Sequence, residues 1–308
     1  MIFDRYVMVD WSAKSTRSPK TPSPDAIWIG DLAGGQFLST YCRTRTDALA
    51  RCRAILGSAV DENERVLIGF DFPFGFPAGF AGAARLFGAD PWLALWHDLQ
   101  NRIQDGPRNA NNRFAVAREY NELVSDALGP FWGCPKAHAS PPLSATSKGL
   151  IPFPYPTRGG TLAKLRLTER VIPGQVQEVW KLMGVGSVGS QALLGIPAVA
   201  QLRFDDQFAA LSQVWPFETG LRLPDLPPGH ASIVFAEIWP GIVDGEAVAS
   251  LMNSPHDLIK DEAQVRLMCE WAHLRDANSQ LAANFSPSGA APALDYVVSE
   301  EGWILGCP

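Results

Sequence analysis

Three apolar runs in this 308-residue chain each lead straight into an acid. Val7-Met8-Val9 meets Asp10, Leu67-Ile68-Gly69-Phe70 meets Asp71, and Ile233-Val234-Phe235-Ala236 meets Glu237. Runs without polar alternation suit strands buried on both faces, as in a parallel sheet covered by helices. In such sheets, sites form at the carboxyl ends of the strands. The pattern therefore predicts that Asp10, Asp71 and Glu237 gather at one sheet edge. An acid after a strand is also a common turn or cap residue, because its carboxylate accepts from nearby backbone N–H groups. Three acids at the ends of separate buried runs favour a shared site.

A fourth acid, Asp261, falls in the first turns of an expected helix, with Ser254 as N-cap and Pro255 at the first helical position. Ile259, Ala263, Leu267 and Trp271 recur every fourth residue, which predicts packing on the core. Asp261 shares a helical face with Val265, Met268 and Ala272, so its carboxylate is expected to point inward. There it needs a partner or a cation. Mg²⁺ and Mn²⁺ prefer oxygen ligands, which carboxylates supply together with charge. Two ions about 3.5–4 Å apart can clamp the attacking and leaving oxygens in phosphodiester cleavage. Acids alone repel phosphate, so metal binding has to come first. Asp10, Asp71, Glu237 and Asp261 are thus expected to be both metal ligands and catalytic groups.

The order of elements points the same way. Tyr6 to Val9 reads as a strand. Ala26 to Asp31 and Gln36 to Cys42 read as a hairpin around Gly34-Gly35. Asp47 to Leu56 reads as a helix with Thr46 as N-cap and a stop at Gly57, and Val66 to Phe70 as the next strand. Strand, hairpin, helix, strand is the opening of a ribonuclease-H-like fold, whose crossover is right-handed. Phe72 to Pro77 breaks regular structure. The fold class expected is α/β, a ribonuclease-H-like mixed sheet with flanking helices. Its core would comprise 1–77 and 231–308, interrupted by a large, mainly helical insertion over 78–230. Pro91 to Arg102 and Arg113 to Leu128 are the clearer helices of that insertion. Tyr296 to Leu305 reads as a final short hairpin.

At these residues the chain resembles a family of predicted nucleases, the domain-of-unknown-function 429 type. The similarity rests on Val9-Asp10-Trp11-Ser12-Ala13, on Gly69-Phe70-Asp71-Phe72-Pro73-Phe74-Gly75-Phe76-Pro77, on Phe235-Ala236-Glu237-Ile238-Trp239-Pro240, and on Lys260-Asp261-Glu262-Ala263. A weaker similarity covers Leu165 to Glu169. The motifs follow in order over most of the chain, with a longer insertion. The resemblance implies a ribonuclease-H-like fold and a nuclease-type reaction at Asp10, Asp71, Glu237 and Asp261. It gives Arg166 and Glu169 an accessory role. A shared fold does not by itself establish chemistry.

Composition narrows the partners. The net charge of −6 argues against gripping long nucleic acid over the whole surface, which calls for a basic face. It leaves room for a local basic groove or for a phosphorylated small molecule. Basic residues cluster at Arg102, Arg108, Arg113 and Arg118, and again at Arg158, Lys164, Arg166 and Arg170, with acids interspersed; these could hold phosphates or form a solvated surface. The five cysteines form no C-x-x-C pair, which disfavours zinc clusters and a disulfide framework. With no signal-peptide pattern and no membrane-span pattern, the expected location is the cytoplasm.

Two further signals carry an alternative. Lys14-Ser15-Thr16 follows the first acid, as in sugar-kinase and actin-like ATPases, and Lys14 and Ser15 are candidates for substrate binding. Gly184 to Gly189 fits G-x-G-x-x-G, but a helical-looking Gln177 to Met183 precedes it where a dinucleotide site needs a strand. It reads as a structural turn, or as a phosphate loop facing the acids. Together they keep open a nucleotide-binding phosphotransferase on the same core. A non-catalytic binding protein with a vestigial acidic cleft is the third reading. His138 could be a general base or a surface histidine, and Trp11 and Trp239 could stack on a base or pack in the core.

Overall fold

Gly34 and Gly35 both take left-handed φ, 56° and 77°, as a two-residue hairpin turn demands. They join β2 (Ile27–Ala33) to β3 (Gln36–Cys42) in antiparallel register. The computed structural model describes residues 1–146, 150–172, 176–253 and 258–308. β1 (Arg5–Asp10) lies antiparallel to β2 and parallel to β4 (Arg65–Phe70). Between β3 and β4 runs α1 (Arg45–Asp61). Its N-cap is Thr44, whose hydroxyl accepts from Asp47 N, two residues before the expected Thr46. Gly57 lies inside this helix and does not end it.

The segment after β4 keeps Phe72, Phe74 and Phe76 buried at every second position. Short α2 (Phe80–Ala83), α3 (Pro91–Arg102) and α4 (Arg113–Val124) follow, then the small hairpin β5 (Tyr155–Thr157) and β6 (Gly160–Leu162). After α5 (Leu167–Val171) comes α6 (Val188–Arg203), a helix buried on nearly every side. β7 (Ser212–Val214) and β8 (Ser232–Glu237) complete a mixed six-stranded sheet of order β3-β2-β1-β4-β8-β7. α7 (Gly245–Met252) and α8 (Lys260–Ala277) lead into the C-terminal turns. The architecture is the expected α/β mixed sheet flanked by helices, and its strand order is compatible with a ribonuclease-H-like fold.

Side-chain alternation divides the central strands between two cores. Val7, Val9, Ile68, Phe70, Ile233 and Phe235 face one layer, with buried residues of α1, α3 and α6. Tyr6, Met8, Leu67, Val234 and Ala236 face the other, against Val265, Met268, Cys269 and Ala272 of α8. A fully buried Val, Ile or Phe contributes about 1.5–3 kcal/mol through removal of its surface from water.

The segment 78–230 supplies β7 beside β8 and packs α6 into the first core. Two expectations are corrected. Gln177 to Met183 is not helical, because its backbone forms an isolated bridge with Trp132: Trp132 N donates to Trp180 O and Leu182 N to Trp132 O. Tyr296 to Leu305 is not a hairpin. Val297–Glu301 forms a π-helical turn, and the Glu300 and Glu301 carboxylates accept from the backbone N–H of Ala78, Gly79, Ala81 and Leu167. Those contacts turn the segment inward where a hairpin would have extended it. Ser254 and Pro255, expected to open α8, lie outside the described residues. Among the described residues no helix is long and apolar enough to cross a membrane.

Candidate active site

The β1–β4–β8 register decides which acids meet. Val9 pairs with Phe70, and Phe70 pairs with Glu237. One position further on stand Asp10, Asp71 and Ile238. Asp10 and Asp71 therefore share the side of the sheet that α8 covers, while Glu237 points with Phe70 to the opposite side. Ile238 is buried against Met8 and Val265 in the second core. Gly69 is the residue that lets it in, since a Cβ there would sit 2.6 Å from Ile238 Cγ2 and 2.8 Å from Met8 Sδ.

Asp10 and Asp71 line a cleft of about 570 Å³ together with Asp261 and Asp25. Asp71 Oδ1 accepts from Trp11 N at 2.7 Å, which ties the acid after β4 to the loop after β1. Asp261 enters from the first turn of α8, as its shared face with the buried Val265, Met268 and Ala272 requires. Its Oδ2 accepts from Asp25 N at 2.7 Å. Asp25 holds a left-handed φ of 55° at the end of the Ser/Pro-rich loop, and sequence reasoning passed it over. That conformation is unusual enough outside glycine to mark a constrained position.

The acids burden one another. Burial holds the Asp10 carboxyl well above its usual range, and Asp71, Asp261 and Asp25 raise it further. Burial likewise pushes Asp71 up to about 7, against the Trp11 N–H that favours its charged form, with Asp261 adding to the rise. Asp261 is raised by burial and partly relieved by the Asp25 N–H. Such a set is waiting for a positive charge.

The rest of the lining is cationic and polar. Lys14, Arg113, Ser187, Ser190 and Gln191 form it, with Gly184-Val185-Gly186 at the mouth. Gly184 and Gly186 take φ of 101° and 69°, so Gly184–Ser187 is a turn that leads into α6 at Val188, and it lines the same cleft as the acids. Arg45 fixes the loop after β1: its Nη1 donates to Ser12 O and Lys14 O while its other nitrogens bind Asp105 and Asn109 O. Gln191 Nε2 donates to Trp11 O at 2.6 Å. Ser15 does not line the cleft but accepts from Arg113 Nη1 at 2.8 Å.

Glu237, Arg166 and Glu169 are brought together elsewhere. Arg166 is wholly buried and clamps Glu237 at two points, Nη2 to Oε1 at 2.6 Å and Nη1 to Oε2 at 2.8 Å. Its Nε donates to Glu169, and Glu237 also accepts from Phe74 N. No oxygen of Glu237 reaches the cleft lining, so the structure places it as the anchor of the Phe72–Pro77 segment. Arg166 and Glu169 have no access to a substrate there. Trp11 is buried among Phe70 and Phe72, Trp239 lies away from the cleft, and His138 is exposed outside it.

Oxygen-only donors are the right chemistry for Mg²⁺ or Mn²⁺. Among the described residues no three acid, histidine or cysteine side chains close on a point where they alone could hold an ion. Mg²⁺ in general keeps several waters and is often bound through only one or two carboxylates. No family model, curated protein or solved structure matches the chain.

Proposed function

We propose that this cleft binds a phosphorylated substrate and hydrolyses its phosphodiester with Mg²⁺ or Mn²⁺ held by Asp10 and Asp71. The carrying observation is the pair itself: two half-buried carboxylates at the ends of adjacent parallel strands, with Asp71 raising the cost of charging Asp10. When bound, the ion would supply Lewis-acid stabilisation of charge developing on the phosphoryl oxygens. Asp10 and Asp71 would hold the reacting phosphate in place through it. Asp261, fixed at Oδ2 by Asp25 N, keeps Oδ1 to accept a proton from the attacking water. Arg45 and Gln191 position the loop that carries Trp11, and so the hydrogen bond that orients Asp71. The ribonuclease-H-like motifs that resemble the family 429 nucleases agree with this reading at Asp10, Asp71 and Asp261.

The partner would be a short or single-stranded nucleic acid or a phosphorylated small molecule, given the acidic chain and the local cleft. All five cysteines are free and buried, which supports a reducing, cytoplasmic setting. The test is cleavage of a generic phosphodiester and of short DNA and RNA strands with Mn²⁺ and Mg²⁺. Cleavage that EDTA, Asp10→Asn and Asp71→Asn each abolish supports the proposal. No cleavage of any of these, or cleavage untouched in both variants, refutes it. The Gly184–Ser187 turn at the mouth favours one other reading, a nucleotide-dependent phosphotransferase. Consumption of ATP without phosphodiester cleavage would select it.

A further inference from the structure

The cleft has two poles, and the second is built around a cation that has no ion-pair partner among the described residues. Arg113 is 8% exposed, yet its hydrogen bonds go only to neutral groups: Ser190 Oγ from Nε, and Ser15 Oγ and Asn111 Oδ1 from Nη1, all at 2.8 Å. The guanidinium lies over the Phe114 ring at 4.3 Å, which orients it further. Nη2 has no hydrogen-bond partner among the described residues and is not sealed from solvent. Buried charges normally have an opposite charge or a ligand. Other buried arginines obey that rule: Arg45 pairs with Asp105, and Arg166 with Glu169 and Glu237.

Nor does Arg113 hydrogen-bond to any acid of the cleft among the described residues. The largest charge effects on Asp10 come from Asp71, Asp261, Asp25 and Lys260, and those on Asp261 from Asp25, Lys260 and Lys14. Arg113 itself responds to burial first, then to Arg45, with Asp105 opposing. Burial and a like charge both press on this guanidinium, and an anion would relieve them. Two separate poles in one cleft of about 570 Å³ suit a nucleotide-sized ligand.

We propose that Arg113, held by Ser190 Oγ, which itself donates to Leu182 O, and offering Nη2 to the cleft, is a specificity-determining anion site. It would read a second phosphate of the substrate, next to the one that reacts at Asp10 and Asp71. The substrate class is then a small phosphodiester carrying a neighbouring phosphate, such as a dinucleotide or strand end with a terminal phosphate. This rests on the phosphodiester reading of the cleft, but its first test involves no cleavage. Arginine's planar fork suits phosphate in a way that lysine's point charge does not.

The experiment titrates inorganic phosphate into the full chain in EDTA, following the Arg113 Nε–H resonance in ¹⁵N-labelled protein. Saturable movement of that resonance is expected, with affinity weakened about tenfold in Arg113→Lys. Asp10→Asn should bind phosphate as well as or better than the native chain, because it removes a repelling charge. A wild-type resonance that does not move at millimolar phosphate overturns the proposal, and so does equal affinity in a folded Arg113→Lys. The wild-type and Asp10→Asn arms stand even if Arg113→Lys fails to fold. In cleavage assays, a terminal phosphate on a dinucleotide should lower KM, and Arg113→Lys should erase that preference with kcat kept. A preference that persists in Arg113→Lys overturns the specificity role while leaving the hydrolase reading intact.

Discussion

Glu237 stands opposite Phe70 in the β4–β8 register, one position short of Asp71. That single step sends its carboxylate to the far side of the sheet, into the two-point clamp of Arg166. Glu237→Gln should therefore act on stability. Breaking one partner of a buried ion pair costs about 3–5 kcal/mol, because the other charge remains buried and unpaired. Urea unfolding should show that loss, while Mn²⁺ affinity of the folded protein stays unchanged. Loss of Mn²⁺ binding in a protein of native stability would return Glu237 to the metal site.

Asp10 and Asp71 should behave in the opposite way. A carboxyl whose folded pKa is raised ionises first in the unfolded chain. For Asp71 the stability relative to the acid side is unaffected below the ordinary aspartate value of 3.8, then falls as pH rises, and levels off above about 7. Asp71→Asn should flatten that part of the stability–pH profile and raise the melting temperature at pH 8. A profile equally steep in the variant would mean that Asp71 is ionised with little penalty. The same linkage makes Mg²⁺ or Mn²⁺ stabilise more at pH 8 than at pH 5, since protons compete with the ion.

The acid pattern was legible because each buried run ends on a charge, and burial on both faces leaves a simple apolar signature at Val7–Val9, Leu67–Phe70 and Ile233–Ala236. Asp261 was legible from its helical face. The parity of Glu237 was not, because apolar runs do not alternate and so carry no mark of which residue faces which layer. Arg113 stood among neighbouring basic residues with nothing to single it out, and its setting depends on Ser190 in α6 and Ser15 in the loop after β1, both distant in sequence. The C-terminal π-helical turn was illegible for a related reason. Glu300 and Glu301 read as surface acids until the backbone N–H groups of 78–81 and Leu167 are placed beside them.

Asp105→Asn should loosen the cleft without touching its acids. Asp105 is the counter-ion that holds Arg45, and Arg45 holds the Ser12 and Lys14 carbonyls. Weakening a charge-assisted pair of this kind costs about 1.5–3 kcal/mol. The amides of residues 12–16 should exchange with solvent faster, and KM should rise. Unchanged exchange in that loop would mean that Gln191 and Arg113 suffice to hold it.

Gly186→Ala tests whether the turn at the cleft mouth takes part in binding. Gly186 sits at φ 69°, and an added Cβ would lie 2.5 Å from Gln177 Cγ, so the backbone or the Gln177 side chain has to move. A left-handed conformation costs a non-glycine residue roughly 1–2 kcal/mol. The strain is confined to a turn that follows the Lys181–Leu182 backbone pairing, so the sheet should be unaffected. The expected result is a raised KM with kcat preserved, because the acids stay in place while the wall that carries Ser187 shifts. A fall in kcat at constant KM would instead connect this turn to the reacting phosphate at Asp10 and Asp71.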